Sequence, residues 1–288
     1  MKALSRTLLF CLGIALVGAP SVGAALTPLD NFNGKSINPQ TWWGYVSNGS
    51  TNPVEELFRG TVPNSFTGVG RLLGLSLVSY GNTLSDIGRP FQQQGLRVQV
   101  PGVITTLQAS VVIHTATAQP CLDNPTSSRA RARLDAALFN SVSAVKSGTG
   151  DQTGDVQAVI QKVLDSGTGA LPTATHIIEA FLQLCNNADC GNNTVLPNSV
   201  VFTKKWAFDV SQKLTWEWDD AQSQVVFTVG TPGSPNAETH AVPYSQVNMG
   251  GPGFDFKGIG VATSGASCTA GRRRATIEAG FDNVFTNP

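Results

Sequence analysis

The chain has 288 residues, and its 19 Lys and Arg balance 19 Asp and Glu, so the formal net charge is zero and only 13% of residues are charged. This excludes a strongly basic nucleic-acid-binding surface and gives no electrostatic draw toward an anionic membrane. With 30 Gly and 16 Pro, the composition suits many strands joined by turns.

Lys2 and Arg6 precede an apolar run from Leu8 to Val17, then Pro20 and the small residues Ser21 to Ala25. This is the layout of a secretory signal peptide over residues 1–25, with cleavage after Ala24 or Ala25. The run is too short to span a bilayer, and no later segment reaches the required length, so no membrane span is expected. Phe10 before Cys11 argues against a lipid anchor. Beyond the leader, Cys121, Cys185, Cys190 and Cys268 form an even set in an oxidising compartment, where disulfides are the default. A local bridge between Cys185 and Cys190 across a polar turn leaves Cys121 with Cys268. A four-cysteine zinc site is the rival, and the spacing of the close pair is wider than such sites use.

From Asn31 to Thr41 the chain reads as a turn-rich loop, and Trp42-Trp43 opens a short apolar stretch. Val54 to Val62 alternates loosely. Leu73, Leu75 and Leu77 lie on one face of a strand from Arg71 to Tyr80, ended by a turn at Gly81-Asn82. Ile104 to Ala118 is a long strand with Leu107, Ala109, Val111 and Ile113 inward, stopped at Pro120. Ala130 to Ala136 alternates small or apolar residues with charges and predicts a strand with one wet face, although its Ala, Arg and Leu also suit a helix. A loop from Ser147 to Thr153 separates it from strands at Asp155–Leu164 and Thr175–Leu184, and Ser199–Val210 is a further strand. Lys213–Asp219 and Gln224–Val229 form a hairpin with Leu214, Trp216 and Trp218 on one face. Gly230 to Gly253 reads as a long loop carrying His240 and Tyr244, the kind of segment in which a sandwich keeps a binding surface. Lys257–Thr263 and Arg274–Thr286 complete the strands. The last echoes Leu29 to Asn33, which predicts first and last strands together in one sheet and residues 26–288 as one domain.

Asp30-Asn31-Phe32, Thr41-Trp42, the hairpin from Leu214 to Val229 and Gly280-Phe281-Asp282-Asn283-Val284 together resemble the concanavalin A-like lectin/glucanase superfamily, including bacterial secreted proteins built on that fold. The resemblance implies an all-β, two-sheet antiparallel jelly-roll sandwich. It also implies a structural Ca²⁺ where first and last strands meet, with Asp30 and Asp282 as candidate ligands, since oxygen donors suit a hard cation. Turn residues bonding their own backbone are the plainer reading of both. The laminarinase-type enzymes of that superfamily carry Glu-x-Asp-x-x-Glu on a strand. Here Glu217 and Asp219 are followed by Gln222, which cannot exchange a proton, and an ordinary polar strand face is the simpler reading. Glu55, Glu56 and Glu179 are further carboxylates that strand pairing could bring together.

Trp43 and Tyr45, beside polar loops, are the candidate sugar-stacking residues, whereas Trp216 and Trp218 read as core. His240 and Tyr244 complete the candidate ligand-binding set. His114 and His176 lack metal-ligand spacing, and Gly-x-Ser-x-Gly is absent. Arg272 to Arg274 and the alternating Arg129, Arg131 and Arg133 could hold an acidic polysaccharide or a phosphate, but charges guarding a strand edge are the simpler reading. The expectation is a secreted, non-catalytic protein that binds an extracellular carbohydrate or surface polymer. A polysaccharide hydrolase or lyase is the alternative, and a structural envelope or matrix component the third.

Overall fold

The computed structural model describes residues 26–48, 58–64, 69–85, 88, 90–99, 104–123, 126–140, 151–168, 174–188, 190, 192–244, 256–269 and 271–287. The expected signal peptide at 1–25, Glu55 and Glu56 lie outside them. In chain order the strands are β1 (Thr27–Asp30), β2 (Trp42–Asn48), β3 (Phe58–Pro63), β4 (Arg71–Tyr80), β5 (Phe91–Val98), β6 (Thr106–Ala118), β7 (Arg129–Asn140) and β8 (Asp155–Asp165). They continue with β9 (Thr175–Cys185), β10 (Asn193–Val195), β11 (Val200–Val201), β12 (Gln212–Asp219), β13 (Gln224–Val229), β14 (Glu238–Pro243), β15 (Lys257–Ser264) and β16 (Arg274–Thr286).

These strands make two eight-stranded sheets, every described pairing antiparallel. The first runs β14-β13-β12-β6-β16-β4-β3 with β1 on β16, and the second runs β10-β9-β8-β7-β15-β5-β2 with β11 on β9. This is the all-β, two-sheet antiparallel sandwich expected, and β7 is a strand rather than a helix. Opening and closing segments do meet, Thr27 opposite Thr286. Among the described residues no helix is long and apolar enough to cross a membrane.

Period-two alternation decides what fills the interior. Leu73, Leu75 and Leu77 of β4, Leu107 to Ile113 of β6, and Leu214, Trp216 and Trp218 of β12 point inward from the first sheet. Leu134 and Ala136 of β7, Ala158 and Ile160 of β8, Ile178 and Ala180 of β9, and Ile259 and Val261 of β15 meet them from the second. Each large side chain so buried contributes about 1.5–3 kcal/mol. Lys162 on β8 is among the inward positions that break the apolar rule: it is fully buried, and its Nζ donates to Val111 O at 2.7 Å and Val210 O at 3.0 Å.

Three segments differ from expectation. Residues 91–98 are a strand although no sequence pattern marks them, because their inward positions include Gln92 and Gln94, both buried. Gln94 donates from its amide nitrogen to Phe58 O at 2.8 Å and to Ser76 O, while its Oε1 is buried without a partner. Ser199–Val210 supplies only the two-residue β11. Beyond it Trp206 seals the core end, donating from Nε1 to Val163 O at 2.9 Å and stacking on His176 with centroids 4.1 Å apart. Part of the expected loop at 230–253 is instead β14, paired residue for residue with β13 from Glu238–Val229 to Pro243–Gln224. Cys121 is bonded to Cys268 and Cys185 to Cys190.

Candidate functional site

The outward face of the second sheet carries the densest polar chemistry in the described residues. Antiparallel register sets its rows: Trp43, Arg97, Gly258, Asp135, Val159 and Phe181 in one, and Tyr45, Gly95, Gly260, Arg133, Gln161 and Glu179 in the next. A third holds Gln93, Ala262, Arg131, Val163 and Ile177. β15 thus presents only small residues outward between the tall side chains of β5 and β7.

Two of those glycines make room for Tyr45. Its ring lies across β5 and its hydroxyl reaches over β15: a Cβ at Gly95 would sit 2.9 Å from Tyr45 Cε1, and one at Gly260 2.8 Å from Tyr45 Oη. The Arg97 guanidinium packs on this ring at 4.3 Å, with Phe256 at 3.7 Å and Trp43 at 5.1 Å from its centre, a cation held by aromatic faces. Trp43 remains 40% exposed. Burial foremost, then the charge of Asp135, raises the Tyr45 phenol above its ordinary pKa.

Along β7, Arg129, Arg131 and Arg133 point the same way because they are two residues apart. Arg129 is neutralised by Asp165, its Nε 3.0 Å from Oδ2, and by Glu179, its Nη2 2.7 Å from Oε1. Gln161 Nε2 also donates to Glu179 Oε1, at 2.6 Å. Arg133 Nη2 lies 3.1 Å from Asp135 Oδ2 and donates to Gln93 Oε1. Burial works against the Arg133 charge, and Asp135 together with Tyr45 outweighs it, leaving the guanidinium pKa raised. Arg131, between them, has no carboxylate within ion-pair distance among the described residues. Burial, and then the repulsion of Arg129, lowers its pKa to about 9.

The face also holds buried polar atoms with no hydrogen-bond partner: Arg97 Nε, Arg131 Nη1, Arg133 Nε and Asp135 Oδ1, whereas the Tyr45 hydroxyl has Arg133 beside it. Buried polar groups are overwhelmingly paired in native proteins, so four such atoms on β5 and β7, on either side of β15, single this face out. The arginine row is therefore no edge guard. β7 lies between β8 and β15, hydrogen-bonded on both sides. Arg274 likewise opens β16, an interior strand of the other sheet, with its guanidinium over Tyr80 at 6.0 Å.

The remaining candidates lie elsewhere. Glu217 and Asp219 alternate with inward Trp216 and Trp218, so they face out from the first sheet and share no surface with the arginines. Burial, then Asp219, raises the Glu217 carboxyl. His114 also faces outward there, its Nδ1 3.0 Å from Asp209 Oδ1, on a depression of about 290 Å³ shared with Phe58, Val62 and Glu278. Tyr244, expected in an exposed loop, is 4% exposed and stacks on Phe139 at 5.5 Å, because β14 carries it back over the core edge. His240 sits within β14, edge-on to Phe202 at 5.0 Å and with Nε2 3.0 Å from Glu238 Oε1.

Glu238 ties β14 to the segment after β11. Burial pushes its carboxyl up, but His240, both Thr203 donors and the Lys204 amide outweigh that and hold it at about 2. A depressed carboxylate pKa stabilises above the ordinary value of 4.5 and ceases to as pH falls toward 2. Amide exchange at Thr203 and Lys204, corrected for intrinsic rates, is expected to rise between about pH 6 and about pH 3. Glu238→Gln should show the faster exchange already at the higher pH, and equal protection in the two proteins would refute the assignment.

Asp30 and Asp282 lie where β1 meets β16. Asp30 accepts from Phe32 N at 2.7 Å and Trp42 Nε1 at 2.8 Å, and Asp282 from Asn283 N at 2.7 Å. Burial raises the Asp282 carboxyl, and the nearby negative charge of Asp30 adds to the rise. Mutually repelling carboxylates whose oxygens keep further lone pairs fit a hard cation. Cys121, Asp123 and Cys268 also cluster, but both sulfurs belong to one disulfide and cannot act as thiolate ligands.

No protein-family model matches the chain, and no curated protein sequence does. Among solved structures, the GH131 β-glucanase catalytic domain from Podospora anserina is 16% identical, with 86% of this chain and 85% of that one covered and a TM-score of 0.40. The exoplasmic/lumenal domain of VIP36 in a Ca²⁺/Man3GlcNAc-bound form is 9% identical over 89% of each chain, with a TM-score of 0.38. A putative β-glucanase from Mycobacterium abscessus is 10% identical over 89% of this chain and 98% of that one, with a TM-score of 0.36.

Proposed function

We propose that the chain is a secreted, non-catalytic protein that binds a carbohydrate polymer along the outward face of its second sheet. The observation that carries this reading is the meeting of an exposed indole, Trp43, with the Arg97, Arg133, Tyr45 and Asp135 cluster, in which Arg97 Nε, Arg133 Nε and Asp135 Oδ1 are buried and unmatched. Recognition sites combine an apolar or aromatic wall with a few convergent polar groups, which is this arrangement. Two disulfides support an oxidising, extracellular compartment.

The carboxylates of this face argue against glycoside hydrolysis. That chemistry needs one carboxyl that keeps a proton and a second that stays ionised. Asp135 is paired with Arg133, and Asp165 and Glu179 with Arg129, so among the described carboxylates of this face none is left without an arginine partner to serve as proton donor. We assign to Asp30 and Asp282 the holding of a structural Ca²⁺, whose positive charge would relieve their repulsion and brace the β1–β16 junction.

A glycan array probed with residues 26–288, with and without Ca²⁺ and with chelator, tests the reading. Specific binding is expected, and Trp43→Ala should weaken it by about tenfold, equivalent to ~1.4 kcal/mol. Release of reducing ends or unsaturated products from a bound polymer would overturn the non-catalytic reading, and chelator-insensitive binding and stability the metal assignment.

A further inference from the structure

The charge of the ligand follows from Arg131, and this rests on the binding reading above. We infer that the polymer is acidic, and that a carboxylate or sulfate group on one of its sugar units is taken by the Arg131 guanidinium with Arg133 beside it.

Arg131 has no ion pair of its own among the described residues, and the attraction of Glu179 and Asp165 only partly offsets its burial and the repulsion of Arg129. Asp165 and Glu179 are engaged by Arg129, and Asp135 by Arg133, so the three carboxylates of the face answer the two flanking arginines. Arg97 rests on aromatic rings and adds a further positive charge without a described ion pair. The sheet face therefore has four guanidinium groups and three carboxylates, and the surplus is concentrated where Arg131 Nη1 and Arg133 Nε are buried without partners. An unpaired buried charge is costly to hold and is retained where an anion completes it. A planar guanidinium fork matches the two oxygens of a carboxylate, or two of a sulfate, and presents donors a neutral hydroxyl does not need. Opposite Arg131 the register places Ala262 rather than a long side chain, so the small-residue strip of β15 runs directly past it.

A structural role for Arg131 predicts the opposite in a stability measurement. A side chain with an internal partner destabilises when truncated, whereas one carrying an uncompensated charge does not. Arg131→Gln is thus expected to melt at or above the temperature of the parent chain. Binding of polygalacturonate, its methyl-esterified form, a sulfated galactan and a neutral β-glucan would be compared by titration calorimetry for both proteins, using residues 26–288. At least one acidic polymer should bind the parent tenfold or more tightly than the ester, lose affinity as salt rises, and lose about tenfold with Arg131→Gln. Preference for polygalacturonate identifies a carboxylate as the recognised group, and preference for the galactan a sulfate.

Equal binding of ester and acid, unchanged by Arg131→Gln but lost with Trp43→Ala, would overturn the acidic ligand and leave carbohydrate binding standing. Failure of the folded protein to bind any of the four would overturn both. A lowered melting temperature in Arg131→Gln would also refute the inference, by showing that the guanidinium has an internal partner.

Discussion

Raising the pH from about 7 to about 9 is expected to stabilise the folded chain, at up to ~1.4 kcal/mol per pH unit, through Lys162 alone. Burial lowers the pKa of this amine from 10.5 to about 7. In that window the unfolded chain keeps the proton and the folded chain has released it, so stability rises with pH. The geometry explains why the neutral form fits. An uncharged amine has two N–H donors, and two carbonyl acceptors, Val111 O and Val210 O, are in place for them. A third N–H would have no described acceptor. Arg131 acts in the same direction only above about 9, and Tyr45 and Tyr244, both raised above 10.0, act oppositely only at higher pH still. Urea midpoints across the window should climb for the parent chain and stay level for Lys162→Met. Parallel profiles would mean that Lys162 does not titrate there.

The second large effect concerns the disulfides. Cys121–Cys268 spans 147 residues and Cys185–Cys190 only 5. If cross-links act chiefly on the unfolded chain, the long loop contributes about 5 kcal/mol and the short one about 2 kcal/mol. Cys121→Ala with Cys268→Ala should therefore lower the urea-unfolding free energy by ~3 kcal/mol more than the other double replacement. The long bridge sits where β6 ends and β16 begins, beside the Gln119 N to Arg274 O bond at 3.0 Å, so the folded strands around it are already paired without it. Equal losses from the two pairs would show that folded-state contacts, not loop size, govern both.

What could be read from sequence and what could not divide along physical lines. Strands whose inward residues are apolar, such as Leu73, Leu75 and Leu77, declare themselves by alternation. β5 does not, because buried Gln92 and Gln94 give its inward face a polar spelling, offset by tertiary hydrogen bonds only at the Gln94 amide nitrogen. Without β5, Arg97 and Gln93 could not be placed beside Trp43 and Tyr45. Arg129, Arg131 and Arg133 were visible as an alternating set, but alternation gives the face and not the number of neighbouring strands. An edge strand and an interior one spell the same pattern. Lys162 is hidden for a similar reason: in phase with Ala158 and Ile160, a lysine looks like the end of an apolar face rather than part of it. Tyr244 shows the converse, an aromatic among Gly and Pro that tertiary packing withdraws from solvent.

The strand order has a consequence for how such a chain comes together. β15 lies between β7 and β5, and β16 between β6 and β4. Until those last two strands arrive, each sheet exists only as two separate fragments whose joining partners are more than a hundred residues apart in the chain. Long-range pairings of this kind make for high contact order and slow closure. The described sandwich therefore keeps open strand edges until β15 and β16 are in place, and edges of this kind are prone to aggregation until they are paired.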